Sequence, residues 1–196
     1  RSSIAGILGA APNTGTSTIT ITNCENYGNV AYGSVKPTHR VDVGGIIGTW
    51  WDNDGTVTSD LSNITNYGDV LVPKISNKAG DPYFGGIIGR HAGEAVKLTN
   101  CTNHGDITIL ADFAQTANNF CIGGIVGYKT VFAVNNCTNE AEINVDLTTT
   151  GDNTMTNASY NCVNIGGILG WKSDQTGDNL VNNGNINVSG TYFGRL

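Results

Sequence analysis

Positive charge is scarce in this chain and is nowhere clustered. Lys and Arg together number 10 among 196 residues, against 16 Asp and Glu, which gives a formal net charge of −6. Because Lys and Arg supply most of the affinity for nucleic-acid phosphates, this composition argues against binding to DNA or RNA. No apolar run approaches the ~20 residues that a membrane-spanning helix requires, so we expect no membrane insertion.

Charge of either sign is low as well. Only 13% of the residues are charged, about half the usual share. Disorder requires low hydrophobicity together with high net charge, whereas 39% of this chain is hydrophobic. The 27 glycines, together with many β-branched residues, indicate a β-rich protein with many turns.

Two short phrases alternate along the whole chain at a period of about 40 residues. The first reads approximately Gly-Gly-Ile-Ile-Gly, and its copies begin at Ala5, Gly44, Gly85, Gly123 and Gly166. The second reads approximately Asn-Cys-Thr-Asn-x-Gly-x-Val, and its copies begin at Asn23, Asn63, Asn100, Asn136 and Asn179. A fixed period of this size indicates stacked structural repeats. The sequence therefore predicts an all-β parallel solenoid of about five repeats with variable loops, in a single domain over residues 1–196.

Apolar residues two positions before and two after the second glycine predict a strand with an inward face. These positions hold Ile4, Val43, Phe84, Ile122 and Ile165, and then Leu8, Ile47, Ile88, Val126 and Leu169. The recurrent glycines indicate a bend or a close backbone approach. The second phrase predicts a strand, a tight turn and another strand, so we expect three strands per coil and one coil per repeat. Two coils per repeat is the alternative.

Two asparagines recur in every copy of the second phrase. Stacked coils would place like residues ~4.8 Å apart, close enough for side-chain amides to hydrogen-bond into ladders. The predicted ladder residues are Asn23, Asn63, Asn100, Asn136 and Asn179, and then Asn26, Asn66, Asn103, Asn139 and Asn182.

Cysteine usage indicates core positions. Cys121 and Cys162 precede consecutive glycine phrases, but an offset of two residues, about 6–7 Å along a strand, would strain a disulfide between them. The other three cysteines share one slot of the second phrase, which accepts Cys, Ile or Leu and is therefore interpreted as buried and inert. The slot holds Cys24, Ile64, Cys101, Cys137 and Leu180.

The two phrases resemble the GLUG repeats of bacterial cell-surface and adhesin-like proteins. Those repeats read roughly Gly-Gly-[Ile/Leu]-Val-Gly-[Tyr], followed by Ile-x-Asn-Cys-x-Asn-x-Gly-x-Val, and residues 123–129 with residues 134–139 are the closest copy in this chain. The resemblance covers nearly the whole chain apart from the loops. It implies an extracellular β-solenoid at the cell surface, as a fragment of a longer surface protein, and it implies no chemistry of its own.

Aromatic and cationic residues recur four and five positions after the second glycine of the first phrase. In register, they would form a strip that suits sugar rings, acidic glycans or carboxylates. The alternative is that they only cover an apolar strand edge. The candidate ligand-binding residues are Trp50, Arg90, His91, Tyr128, Lys129, Trp171 and Lys172. A separate column at the turn, formed by Tyr27, Tyr67 and His104, is interpreted as stacking between coils.

Catalytic and metal-binding patterns are weak. The segment Asp52-Asn-Asp-Gly resembles half of a calcium loop, without the remaining oxygen ligands. Asp52 and Asp54, with Lys129 and Lys172, are the only candidates for cleavage of a polysaccharide, and nothing in the sequence places them together. We therefore expect no metal, no cofactor and no enzymatic activity.

These observations favour a non-catalytic extracellular module that acts as a stalk or as a binding surface for a glycan or a host or cell-surface protein. The first alternative is a subunit of an extracellular filament assembled by end-to-end stacking. The array ends in the phase in which it begins, and both ends would present uncovered strand edges. The second alternative is a polysaccharide-active β-helix enzyme.

Overall fold

The computed structural model describes residues 2–13, 19–33, 40–52, 59–76, 81–92, 96–112, 119–129, 132–148, 162–172 and 177–190. Every regular element within these ranges is a β-strand. The first two coils contain β1 (Ser2–Ala5), β2 (Leu8–Asn13), β3 (Thr20–Asn26), β4 (Val30–Ala31), β5 (Val41–Gly44), β6 (Ile47–Asp52), β7 (Ser59–Asn66) and β8 (Val70–Ser76). The third contains β9 (Tyr83–Gly85), β10 (Ile88–Ala92), β11 (Val96–Thr99), β12 (Thr102–Asn103) and β13 (Ile107–Asp112). The last two contain β14 (Asn119–Gly123), β15 (Val126–Lys129), β16 (Phe132–Asn139), β17 (Ile143–Thr148), β18 (Cys162–Gly166), β19 (Leu169–Lys172), β20 (Gly177–Asn182) and β21 (Ile186–Ser189).

Equivalent strands of successive coils pair in parallel and form four sheets. Sheet A consists of β1, β5, β9, β14 and β18, and sheet B of β2, β6, β10, β15 and β19. Sheet C consists of β3, β7, β11 with β12, β16 and β20, and sheet D of β4, β8, β13, β17 and β21. Like residues of the repeats face one another, as where Ile122 pairs with Phe84 on one side and Ile165 on the other. The predicted parallel β-solenoid, with one coil per repeat, is confirmed.

The prediction of three strands per coil is wrong, because each glycine phrase contributes two strands. A two-residue bend separates them in every coil, at residues 6–7, 45–46, 86–87, 124–125 and 167–168. The strand before the bend belongs to sheet A and the strand after it to sheet B. The apolar pattern continues across the bend, which is why the sequence alone resembles one strand.

Two separate hydrophobic lobes fill the coil. One lobe lies between sheets B and C, where Ile47 and Trp50 pack with Leu61 and Ile64. The other lies between sheets A and D, where Val43 and Phe84 pack with Val70 and Ile107. We call them the BC lobe and the AD lobe. Sheets A and B therefore fold back on each other inside the coil. The opposite face of sheet A packs on sheet D, and the opposite face of sheet B packs on sheet C.

Glycine allows sheets A and B to approach this closely. A Cβ on Gly127 would lie 2.5 Å from the carbonyl oxygen of Phe84, and one on Gly170 would lie 2.6 Å from that of Ile122. At the bend itself, a Cβ on Gly86 would overlap the amide of Asn103 and the backbone of Gly124. The bend of the inner sheets thus touches the start of the turn that joins sheets C and D, and this contact separates the two lobes.

The recurrent asparagines form two ladders of hydrogen bonds. In the buried ladder, Asn66 Nδ2 donates to Asn103 Oδ1 at 2.8 Å, and Asn103 Nδ2 donates to Asn139 Oδ1 at 2.9 Å. Each of these amides also bonds the backbone two residues later, as Asn103 does with the Gly105 carbonyl at 2.9 Å. In the exposed ladder, Asn100 Nδ2 donates to Asn63 Oδ1 at 3.1 Å. The exposed asparagines have φ between 51° and 56°, a left-handed conformation that Asn tolerates better than most residues.

Candidate binding site between the inner sheets

Beyond the glycine contacts, sheets A and B face each other with polar and aromatic side chains. On sheet A the column is Ser3, Asp42, Tyr83, Cys121 and Asn164, which are in register from coil to coil. On sheet B the column is Ala10, Thr49, Arg90, Tyr128 and Trp171, also in register. We call these ten residues the A–B polar interface. Such an interface provides hydrogen-bonding groups, a cation and ring faces inside an otherwise apolar coil.

Asp42 is the acidic centre of the A–B polar interface and is fully buried. Its Oδ2 accepts a hydrogen bond from Thr49 Oγ1 at 2.7 Å and forms an ion pair with Arg40 Nε at 3.2 Å. Burial raises the pKa of this carboxyl, while the charge of Arg40, the hydrogen bond from Thr49 and the charge of Arg90 oppose the rise. Its other oxygen, Oδ1, has no hydrogen-bond partner among the described residues. Asp42 is therefore a buried carboxyl whose negative charge would be only partly compensated by its neighbours.

Arginine and aromatic rings occupy the rest of the interface. The Arg90 guanidinium lies 5.2 Å from the centroid of the Trp51 ring and 5.6 Å from that of Tyr128. Tyr128 stacks on Tyr83 with centroids 4.5 Å apart, and Arg40 lies 5.8 Å from the Tyr83 ring. Cation–π contacts of this kind hold the guanidinium over the ring faces.

Tyr83 is held as a neutral phenol. Its hydroxyl donates to Asp81 Oδ2 at 3.1 Å, and its side chain is almost fully buried. Burial, followed by the negative charge of Asp81, raises the pKa of Tyr83 far above its ordinary value. The group can donate a hydrogen bond at any physiological pH, and it does not serve as a base.

The two predicted columns of the ligand strip are in register, but they face opposite sides of sheet B. Arg90, Tyr128 and Trp171 belong to the A–B polar interface, and Trp171 is the most accessible of them at 38% exposure. Trp50 is fully buried in the BC lobe, and His91 is fully buried as well. These two side chains therefore do not present a surface to a ligand, because the neighbouring strand position points into the core.

For two further strip residues, only the backbone is described. Lys129 pairs with Lys172 across β15 and β19, in the column that also contains Ala11, Trp50 and His91. For Asp52 likewise only the strand backbone is described, and Asp54 lies outside the described residues. Among the residues that are described, no group of three or more His, Cys, Asp or Glu side chains is placed to hold a metal ion.

Sequence reasoning missed Arg40, Asp42, Trp51 and Tyr83. A signal for the sheet A column was present, because the position three residues before the second glycine is polar or aromatic in most coils although its neighbours are apolar. That column is the one that faces Arg90 and Tyr128. Alternation of this kind is also typical of a strand with one face in solvent, so the sequence alone does not show that the polar face is internal.

A separate aromatic column lies at the turn between sheets C and D. The Tyr27 and Tyr67 rings stack with centroids 4.7 Å apart, and Tyr67 and His104 stack at 4.9 Å. The column continues as a hydrogen bond from Asn183 Nδ2 to Glu140 Oε1 at 3.0 Å. These contacts join successive coils, as the sequence interpretation expects, and Tyr27 is 68% exposed.

No protein-family model, curated protein or solved structure matches this chain. The resemblance to GLUG repeats accordingly stays an interpretation of the two phrases. Within the described part of the chain, no helix has the length and apolarity needed to cross a membrane.

Proposed function

We propose that this chain is a non-catalytic module of the extracellular surface, in which a rigid β-solenoid acts as a stalk and presents a binding surface for a glycan or a protein. The observation that carries the proposal is the exposed ring of Trp171, which ends the in-register column that contains Arg90 and Tyr128. Aromatic faces pack on sugar rings, so an exposed indole ring provides a contact surface for a glycan. The motif resemblance supports the location, and the buried amide ladder supports the stiffness of a stalk.

The binding surface is tested by comparing wild type with Trp171→Ala on a glycan array and against immobilised cell-surface proteins. Removal of a ring that contacts the ligand should lower affinity by about five- to tenfold, since stacking contributes on the order of 1–1.5 kcal/mol. The matched control is Tyr27→Ala, which removes an exposed ring from the other aromatic column. Equal binding by all three proteins would contradict the proposal.

A filament subunit is the second candidate, and the direction of the two ladders favours it. In the buried ladder each amide donates to the following coil, so Asn26 donates to Asn66 and Asn139 donates to Asn182. In the exposed ladder each amide donates to the preceding coil, so Asn179 donates to Asn136. The donor direction is the same at every step, so a further coil supplied by a second copy stacked head to tail would continue both ladders.

An exposed apolar side chain on the fifth coil offers a test of this candidate. Val188 is 51% exposed although its column lies inside the AD lobe in the preceding coils. We expect Val188→Lys to abolish multimers measured by light scattering, because a charge would be buried in the contact. The control is Leu110→Lys, which changes a side chain of similar exposure on the third coil. A monomeric wild type at high concentration would exclude this candidate without affecting the stalk proposal.

A further inference from the structure

Two cysteines lie directly against each other in consecutive coils. Thr99 pairs with Asn135 and Thr102 pairs with Thr138, so Cys101 and Cys137 occupy equivalent places between these pairs. Both are fully buried in the BC lobe. Cys24 occupies the same slot two coils earlier, but its partner there is Ile64. Among the described residues, this slot brings only one pair of thiols together.

We propose that Cys101 and Cys137 form a disulfide that links the third and fourth coils when the chain folds under oxidising conditions. Neighbouring strands are about 4.8 Å apart, within the roughly 4.4–6.8 Å that separates the Cα atoms of bonded cysteines. The two side chains are close enough to interact. Each also donates to the backbone two residues earlier, Cys101 to Thr99 at 3.4 Å and Cys137 to Asn135 at 3.2 Å. The parallel register also keeps the two Cβ atoms about 4.8 Å apart, so the bond requires side-chain rotation and a small approach of the two strands to the roughly 3.5–4.5 Å between bonded Cβ atoms.

The reaction is thiol–disulfide exchange with a small disulfide such as oxidised glutathione. The Cys101 thiolate attacks the glutathione disulfide, forms a mixed disulfide and releases one glutathione thiolate. The Cys137 thiolate then attacks the sulfur of Cys101 and releases the second glutathione thiolate. The two cysteines lose two protons and two electrons, and the electrons reduce one glutathione disulfide to two thiols.

The folded coil slows this reaction. The hydrogen bond with Cys137, followed by burial, raises the pKa of the Cys101 thiol, so the reactive thiolate is scarce once the BC lobe has closed. The bond therefore forms while the coils are still open to the oxidant. After folding, the same burial protects it from reduction.

The test is to refold the reduced, denatured chain with oxidised and reduced glutathione, then to alkylate it in denaturant and map its peptides. We expect a cross-linked peptide that joins Cys101 to Cys137 and the loss of two alkylated thiols. Folded, reduced protein given the same oxidant should form the bond at least about tenfold more slowly. Retention of all thiols after oxidative refolding, or a bond between other cysteines, would overturn the proposal.

Two variants distinguish the effect of the disulfide on stability from general effects of a substitution on folding. Cys137→Leu introduces the residue that Leu180 supplies in the next coil, and it should remove the difference in melting temperature between oxidised and reduced protein. Cys24→Ala should keep that difference. A redox-dependent melting temperature in Cys137→Leu would contradict the assignment. Because the oxidant is supplied in vitro, the result does not depend on the proposed extracellular location.

Discussion

At the scale of single residues, asparagine has two distinct roles in every coil. Asn63 and its equivalents adopt positive φ, which turns the strand of sheet C locally, and their exposed amides bond along the stack. Asn66 and its equivalents in the first four coils are buried, and they satisfy the backbone of the turn that follows, as in the bond to the Gly68 carbonyl at 2.6 Å. Because water does not reach these buried amides, the removal of one leaves its hydrogen-bond partners unpaired.

Asn103→Ala tests the buried ladder. The substitution removes the donor to Gly105 and Asn139 and the acceptor for Asn66, and we expect a loss of about 3 kcal/mol in the free energy of unfolding. Asn100→Gly is the control, because glycine keeps the positive φ while the lost amide is exposed to water. Its cost should stay below about 1 kcal/mol. Urea unfolding of both variants measures the difference, and equal losses would contradict separate roles for the two ladders.

The buried carboxyl of Asp42 should make the stability of the protein depend on pH. Burial raises the pKa of its carboxyl above the ordinary 3.8, so the folded chain keeps a proton that the unfolded chain releases. The stabilising contribution is complete below pH 3.8 and is lost as the pH rises through the folded pKa. Asp42→Asn should therefore gain stability relative to wild type at neutral pH, and the gain should shrink toward acid. Melting temperatures of wild type, Asp42→Asn and the control Asp60→Asn, which changes an exposed carboxyl, should be measured from acid to neutral pH. If burial is not the dominant effect, the stability gained by Asp42→Asn will grow toward acid instead of shrinking.

At the scale of elements, the fold depends on the contact between the glycine bend and the buried asparagine column. The bend reverses the chain between sheets A and B, and the amide of Asn103 fills the space that a side chain on Gly86 would need. The same contact separates the AD lobe from the BC lobe. One small residue per coil thus decides that the chain builds four sheets around two cores.

Gly86→Ala tests this contact. The added Cβ would overlap the Gly124 carbonyl and the Asn103 amide, neither of which can move without breaking the ladder, so we expect a loss of at least about 3 kcal/mol. Gly33→Ala adds the same methyl group where no atom lies within 4 Å, and it should be nearly neutral. Thermal unfolding compares the two variants. Similar melting temperatures would show that the bend can relax around a side chain.

The register of the solenoid was predictable from sequence, whereas the path of the chain inside each coil was not. Phrases that recur in order determine which residues stack, as with Ile122 between Phe84 and Ile165. The bend could not be recognised in the sequence because Ile46 and Ile47 are both apolar and both pack in the BC lobe. For the same reason the predicted strip combined Trp50 with Arg90, although adjacent positions face opposite sides. When both faces of a strand are covered, alternation does not indicate which one meets solvent.

At the scale of the whole molecule, each coil contacts only its neighbours, so stability is expected to be close to a sum over coils and the interfaces between them. Each of the four sheets passes through all five coils, and their pairings connect consecutive coils. The asparagine ladders and the stacked turn aromatics are likewise contacts between neighbours. We expect such a protein to remain folded when a complete coil is deleted and to unfold when only part of a coil is deleted.

Deletion of residues 84–121 removes one complete coil. Because Tyr83 pairs with Cys121, the deletion joins Tyr83 to Ile122 in phase and leaves a four-coil solenoid. We expect it to keep the β-sheet signal in circular dichroism and cooperative unfolding, with a urea m-value lower by about one fifth, since the surface buried scales with the number of coils. Deletion of residues 86–103 instead keeps β9 and removes the bend and the strands of sheets B and C from one coil, so the coil cannot close and the array should unfold. Loss of structure in both deletions would mean that the coils are not interchangeable units.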